Sequence, residues 1–530
     1  MIGNTEFKSF GAYLIYRLKE KKHNQVYVYG IGLYAKMVCE LFRENDIKVI
    51  ALLDEGYGRS KYIAEMNLPV CSISEIENRP IVIASKDYQE EIFARLIKQG
   101  VSEDRLFKIF THADLFYGEK SLDDIFSKCP KPTAGDMNTI VFVGDNSDYL
   151  NFGCRATSMA LSDILSETTT ISERISRGDI LGLFSAIPIC DDWGVYISTI
   201  KKYNCTIFEK LVNSIKKADA VVFNGEGSFI LKSPPRVDLH NYLVVMLACI
   251  EADKPFFVLN FMFSAFSSEP LNNDLSKTCL QAFGKAEIIC VRDNESKRLI
   301  ESENNSINVK YLPDALFSWY NLLTNNAEKL KCVADNYQFS LPFISDERFY
   351  RELDLSQRYI LLSGNSYASH FPNLMEKSFF KLAVALRDKA EALGCKLYLI
   401  ECCGGDFPLR KVAIDVGVPL IPANINIYFA MYILSSAQCF VSGRYHPSIM
   451  ASLGGTPCVF MGSNSHKTTS LQDVLEYSVI KTFNPLPDDE EIDMIVEETI
   501  AKINADRELI QRNSEKNCLL TEEIFKKINY

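Results

Sequence analysis

The sequence predicts an α/β protein made of two facing doubly wound parallel-sheet lobes, preceded by a small Rossmann-like domain. Three observations carry this. Short apolar runs alternate with amphipathic helical stretches along the whole chain, which is the mark of parallel strands joined by crossover helices. Gly or a charged residue follows several of those runs, where open α/β sheets place their ligands. The 530 residues, 47% of them hydrophobic, are enough for two to four domains and a large core.

The first unit runs from about Asn24 to Phe110. Gln25-Val26-Tyr27-Val28-Tyr29 reads as a strand, and Lys36 to Glu44 as the helix after it. Lys48 to Leu53 and Pro80 to Ser85 read as further strands. Between the first strand and its helix stands Gly30-Ile31-Gly32-Leu33-Tyr34-Ala35, a Gly-x-Gly-x-x-Ala turn, and Asp54 follows about twenty residues on. In the dinucleotide fingerprint the first glycine permits a tight turn, the second lets a phosphate approach, and the acid binds a ribose. Gly30, Gly32 and Asp54 are therefore candidates for holding a nucleotide or nucleotide-sugar; the alternative is a βα turn closed by glycines alone. Cys129-Pro130-Lys131-Pro132-Thr133-Ala134-Gly135 reads as a linker. Domains are expected over residues 1–125, 136–330 and 357–530.

The second unit opens with the strand Thr139 to Val143, followed by Gly144-Asp145-Asn146. Asn151-Phe152-Gly153 stands ahead of a helix from about Arg155 to Leu165. The strand Ala220 to Phe223 opens into Asn224-Gly225-Glu226-Gly227-Ser228, read as a glycine turn. Strands at Phe256 to Leu259 and Glu287 to Val291 follow, the latter leading into Arg292-Asp293. A polar stretch from Asn321 to about Ser356 joins this lobe to the third unit. There, Tyr359 to Gly364, Lys396 to Ile400, Gln438 to Val441 and Pro457 to Met461 read as strands, and Asp488 to Tyr530 as a charged helical tail.

Composition excludes several classes. Lys+Arg 57 against Asp+Glu 68 argues against nucleic acid as a partner, which demands a basic surface. No apolar run reaches the length of a membrane span. The start lacks a basic segment followed by an apolar one, so no signal peptide is expected. The protein is expected in the cytoplasm, with peripheral association at the inner face of the membrane left open. The 16 Cys form no C-x-x-C pair, which predicts reduced thiols and no metal site.

The richest stretch is Ser442-Gly443-Arg444-Tyr445-His446-Pro447, between a strand and the helix Ser448 to Leu453. Helix N-termini favour anions. Arg292, Arg444, His446 and Lys467 are candidates for one cationic pocket, since loops at the carboxyl ends of parallel strands converge. Arginine forks fit phosphate and carboxylate bidentately. Gly225 and Gly227 would bring backbone N–H groups to the ligand. The structural alternatives are an arginine on a surface carboxylate and a helix-capping histidine.

The ordered set Asn151-Phe152-Gly153-Cys154-Arg155-Ala156-Thr157, Gly225-Glu226-Gly227, Val291-Arg292-Asp293 with Ser296, Pro313-Asp314, and Ser442-Gly443-Arg444-Tyr445-His446 with Lys467 resembles the polysaccharide pyruvyl transferase family. The resemblance spans about Thr139 to Tyr477, roughly two-thirds of the chain. It implies a fold like the two-lobed glycosyltransferases of the B type. It also implies phosphoenolpyruvate as donor, a lipid-linked or nucleotide-linked saccharide as acceptor, and transfer of the pyruvyl group as a ketal in surface polysaccharide synthesis. No bound cofactor or metal is implied. Under it Arg292 and Arg444 hold the donor with Lys467 in support, His446 is the acid/base, and Asn151 and Asp145 bind the acceptor. The chain departs from the family pattern at Cys154, Tyr445 and Glu226, where the family often has Asp, Leu and Gly. The first unit resembles the nucleotide-sugar-holding domain at the front of bacterial sugar N-acetyltransferases. The alternatives are a nucleotide-sugar-dependent glycosyltransferase on the same fold and a degenerate sugar- or nucleotide-binding scaffold.

Overall fold

In the computed structural model, the apolar runs are interior strands of three sheets, and every strand pairing in them is parallel. The structure describes residues 14–15, 18–19, 21–54, 62–85, 88–109, 138–176, 192–195, 197–198, 206–267, 269–336, 353–423, 425–503, 505 and 507–525. The linker expected at Cys129 to Gly135 and the expected domain limits at residues 125 and 136 lie outside them, as does part of the polar connection before Ser356.

The first sheet has strands β1 (Gln25–Tyr29), β2 (Lys48–Leu53), β3 (Val70–Cys71), β4 (Ile81–Ile83) and β5 (Leu106–Lys108), in the order β3-β2-β1-β4-β5. Val26, Val28 and Leu52 pack on Val38 and Phe42 of the helix Leu33–Glu44, while Tyr27, Leu53 and Ile83 pack on Leu96 of the helix Gln89–Lys98. Helices thus cover both faces, which is why these strands are almost wholly apolar. The helix after β1 starts at Leu33, three residues earlier than expected, with Gly32 as its cap.

A second compact unit holds the other two sheets. One has β6 (Thr139–Asp145), β7 (Thr170–Ser176), β8 (Ala220–Leu231), β9 (Phe256–Ala265), β10 (Ile288–Val291) and β11 (Val309–Tyr311), in the order β11-β10-β9-β8-β6-β7. The other has β12 (Tyr359–Asn365), β13 (Lys396–Ile400), β14 (Leu420–Ile421), β15 (Cys439–Gly443), β16 (Cys458–Met461) and β17 (Thr482–Phe483), in the order β14-β13-β12-β15-β16-β17. The core of the former is dense with aromatics; Phe229, Phe261 and Phe283 lie 5.0–5.4 Å apart, ring centre to ring centre. The helix Val237–Glu251 is buried along Leu239, Leu243, Met246 and Leu247.

In each sheet of this unit the chain walks outward from one strand and returns on its other side. The reversal falls between β6 and β8 in one lobe and between β12 and β15 in the other. Such switch points open a crevice at the strands' carboxyl ends. The lobes are joined there by backbone hydrogen bonds from Phe152 N–H to the Cys402 carbonyl, 2.8 Å, and from Ser267 N–H to the Asn464 carbonyl, 2.9 Å.

Two readings of local structure are corrected. Gly225 and Gly227 do not form a turn: β8 runs on to Leu231, because β9 continues to Ala265 and pairs with it beyond a bulge between Glu226 and Phe229. Gly225 is needed for that pairing, since a Cβ there would lie 2.5 Å from Phe261 Cβ. Phe152 and Gly153 are inside their helix, which spans Phe152–Ser166; the Asn151 side chain accepts from the N–H groups of Gly153 and Cys154, 2.9 and 3.2 Å, and so starts it earlier. The helix after β15 spans Tyr445–Leu453 and also starts earlier than expected, here without a side-chain cap, and the tail holds two helices, Asp489–Ile503 and Arg507–Phe525.

Candidate active site

Both switch points open into one cavity of about 290 Å³. From the first lobe it is lined by Asn146, Asn151, Gly153, Cys154, Glu226, Gly227, Arg236 and Arg292, and from the second by Ser366, Arg444, His446, Asn464 and Lys467. Four residues expected in one cationic pocket, Arg292, Arg444, His446 and Lys467, meet here although up to 175 positions separate them in the chain.

Arg292 leaves β10 and is 2% exposed. Its Nη1 lies 3.0 Å from Asp314 Oδ2 and 2.9 Å from His446 Nε2, and its guanidinium carbon sits 4.3 Å from the centre of the Tyr445 ring. Tyr445 therefore supplies a stacking face that a leucine could not. Asp314 is fully buried and also accepts from Thr157 Oγ1, 2.8 Å, and Leu316 N–H, 3.0 Å. Burial alone would raise its pKa; His446 and Arg292 outweigh this and hold the carboxyl well below the usual range.

His446 Nε2 is 3.2 Å from Asp314 Oδ2 as well as near Arg292. It can accept from the arginine or donate to the carboxylate, and that choice sets what Nδ1 presents. Nδ1 lies beside Gly153, whose missing side chain makes room for the imidazole: a Cβ at Gly153 would be 2.9 Å from His446 Cγ.

Arg444 caps the next helix without a side-chain hydrogen bond to it. Its Nη2 donates to Asp406 Oδ1 at 2.5 Å and its Nη1 to Ser366 Oγ at 3.4 Å. Burial disfavours its charge, yet Asp406 outweighs burial and holds the guanidinium charged. The Nε atoms of Arg292 and Arg444 are buried without a hydrogen-bond partner. Lys467 Nζ donates to Ser366 Oγ, 2.8 Å, and Asn464 Oδ1, 2.9 Å, and pairs with no carboxylate among the described residues. Burial and the charges of Arg444, Arg292 and Arg236 push its pKa well down.

Other expected site residues fare differently. Asp145 is not at the cavity: its Oδ2 pairs with Arg174, 2.9 Å, and its Oδ1 accepts from Ser147 N–H, 3.1 Å. Gly225 faces β9 instead of the cavity, whereas Gly227 lines it and its carbonyl accepts from Arg236 Nη1, 2.5 Å. Asn151 lines the cavity, but its Oδ1 caps a helix. In the first unit, Gly30 ends β1 at φ 121°, a left-handed conformation that suits glycine, and an added Cβ at Gly32 meets nothing within 4 Å. Asp54 follows β2 and is half-buried.

Asp314, Asp406, Arg236 and Ser366 were not singled out as site residues from sequence. Asp406 had a signal, Gly404-Gly405-Asp406 behind a strand end; Arg236 had none, because a loop arginine looks the same wherever it points. Among the described residues no group of His, Cys, Asp and Glu is disposed to hold a metal, and no helix is long and apolar enough to cross a membrane.

Two parallel-sheet lobes closing on a cavity lined by Arg292, Arg444 and Lys467, with a buried His–Asp pair beside it, define an α/β protein with a cleft between its lobes. The chain belongs to the polysaccharide pyruvyl transferase family, whose sequence model matches residues 151–465, more than half of its length. No curated protein matches it significantly. Among solved structures it is similar to a UDP-GlcNAc 2-epimerase from Neisseria meningitidis bound to UDP-GlcNAc, at 14% identity and TM-score 0.39 over 69% of this chain and 100% of that one. It is also similar to an α,α-trehalose 6-phosphate synthase from Burkholderia multivorans, at 10% identity and TM-score 0.43 over 74% and 97%. A third is a UDP-GlcNAc 2-epimerase from Methanocaldococcus jannaschii, at 9% identity and TM-score 0.41 over 71% and 98%.

Proposed function

We propose that the protein transfers the pyruvyl group of phosphoenolpyruvate to a pair of saccharide hydroxyls, forming a ketal. The observation that supports this best is a set of cationic donors at the cavity that no carboxylate satisfies. Arg292, Arg444 and Arg236 each have a carboxylate partner, but Lys467 has none among the described residues, and Arg292 Nε and Arg444 Nε are unpartnered. A small ligand bearing phosphate and carboxylate would satisfy these donors. Family membership supplies the class of reaction.

In this reading Arg444 and Lys467 hold the phosphate and Arg292 the carboxylate. Each contact is charge-assisted and shielded from water, where it is strongest. Asp314 accepts from His446 Nε2–H, which leaves Nδ1 as the lone-pair base beside Gly153. The acceptor is a lipid-linked or nucleotide-linked glycan used in surface polysaccharide synthesis in the cytoplasm, with the protein free to associate at the membrane's inner face. The Gly30–Gly32 turn of the first unit would take a nucleotide or nucleotide-sugar.

The test pairs thermal shift with mass spectrometry. Phosphoenolpyruvate at a hundred times its Kd should add about 2.7 kcal/mol of stability. A panel of lipid-linked and nucleotide-linked glycans incubated with it should yield one product heavier by a pyruvyl ketal. Stabilisation by UDP-sugars, with no response to phosphoenolpyruvate and no ketal, would overturn the proposal in favour of a glycosyltransferase.

A further inference from the structure

We propose that Glu226 delivers the proton that turns the donor's methylene into a methyl group, while His446 takes the proton from the attacking hydroxyl. This rests on the reaction proposed above and assigns it a second proton carrier.

Glu226 lines the cavity at the bulge of β8 and is 6% exposed. Its φ of 44° is left-handed, a conformation a non-glycine residue holds only when its surroundings impose it. Those surroundings are polar. Asn146 Nδ2, Asn224 Nδ2 and Ser158 Oγ donate to Oε1 at 2.8, 3.2 and 3.4 Å. No Lys, Arg or His among the described residues pairs with the carboxyl, unlike Asp238, Asp314 and Asp406 around the same cavity. These three donors use one oxygen, and Cys154 also hydrogen-bonds the carboxyl.

The network continues. Asn260 Nδ2 donates to Asn224 Oδ1, 2.9 Å, and to Thr157 Oγ1, 2.8 Å, and Thr157 Oγ1 donates to Asp314 Oδ1, 2.8 Å. Asp314 Oδ2 then meets Arg292 and His446. This buried chain fixes the Glu226 carboxyl and the His446 imidazole on one scaffold. The environments of its two carboxyls are opposed. Burial raises the Glu226 pKa despite His446, Asn146, Cys154 and Arg292, whereas His446 and Arg292 hold Asp314 ionised against its burial. Carboxyl groups driven apart in this way mark acid and base roles. A neutral Glu226 also avoids the repulsion that a carboxylate would exert on an anionic donor.

The atoms balance. The Glu226 proton bonds the terminal carbon, using the π electrons of the C=C bond, and the adjacent carbon becomes oxocarbenium-like. The first hydroxyl oxygen bonds that carbon and its proton passes to His446 Nδ1. The C–O bond to phosphate breaks with its electron pair on phosphate, and the second hydroxyl closes the ketal. Of the two hydroxyl protons, one restores Glu226 and the other leaves with phosphate.

The experiment compares Glu226→Gln, Glu226→Asp and His446→Gln with the unmodified protein, using phosphoenolpyruvate and the glycan found above. E226Q keeps an oxygen for the three donors but has no transferable proton. We expect its phosphoenolpyruvate Kd to stay within about threefold, while kcat falls by about a hundred- to ten-thousandfold, the range for a general acid. H446Q should lose kcat in the same range. E226D, still an acid, should retain more activity than E226Q. The alkaline fall of kcat in the unmodified protein should vanish from the residual rate of E226Q. An E226Q kcat within about threefold of the unmodified value, or at least equal to that of E226D, would overturn the assignment. So would parallel losses of stability and donor affinity with no split between Kd and kcat. If the unmodified protein neither binds phosphoenolpyruvate nor makes a ketal, the reaction itself fails and this assignment falls with it.

Discussion

The turn after β1 and the turn after β15 share one local design. Each ends an apolar parallel strand, and each starts a helix at a residue that makes no side-chain cap, Gly32 in one and Arg444 in the other. They differ in what the rest of the chain brings to them. The turn after β1 has open space around Gly32, and Lys36 in its helix is engaged by Glu65. The turn after β15 begins a helix buried at all nine residues, and its Arg444 and His446 meet Asp406, Ser366, Arg292 and Asp314 from other strand ends. A strand-turn-helix motif supplies free N–H groups in both places. Chemistry needs charges from several such ends, and among the described residues the second turn receives them.

The largest effect should come from emptying the second turn. Arg444→Ala leaves Asp406 buried without its cation, and Arg292→Ala does the same to Asp314. Loss of one partner of a buried pair costs about 3–5 kcal/mol, so both variants should lose stability in urea. kcat/KM for the donor should fall by at least about a hundredfold, and Arg→Lys should rescue it only in part. An Ala variant with full activity would remove that arginine from the donor site.

A smaller effect concerns Lys467. Its ammonium form binds the anion, and burial with three neighbouring arginines lowers its pKa. Donor affinity should therefore weaken as pH rises, by about tenfold for one lost charge-assisted contact, in a window below that of an ordinary lysine. Donor Kd measured against pH reads this directly. Lys467→Arg should flatten the curve, because guanidinium does not titrate there. An identical curve for K467R would assign the titration to another group.

The smallest effect on transfer should come from the first turn. Gly32 is not at positive φ and a Cβ there meets nothing, so Gly32→Val should fold normally and leave pyruvyl transfer within about twofold. Calorimetry should show that a nucleotide or nucleotide-sugar bound by the full chain is no longer bound by G32V. If neither protein binds one at millimolar concentration, the first unit has no nucleotide role and the comparison sharpens to a motif without a ligand.

Much of this was legible in the residues. Alternating apolar runs and amphipathic stretches determined the parallel sheets, because strands covered on both faces must be apolar throughout. The strand ends pointed to Arg292, Arg444 and His446, which with Lys467 line one cavity. Tertiary structure decided the partners. β8 runs through its glycines because β9 extends far enough to pair with it, and local preference cannot foresee a neighbouring strand's length. Asp145 stands next to a strand end as a site residue should, yet Arg174 takes its carboxylate. Glu226 looked like an intruder among glycines; amide and hydroxyl donors hold its carboxyl at the cavity, and burial raises its pKa. The period of a sequence fixes which side of a strand or helix is buried, but the pairing of a side chain depends on groups that can stand far away in sequence, 80 positions for Asn146 and Glu226 and 154 for Arg292 and His446, which only the folded chain brings within hydrogen-bond reach.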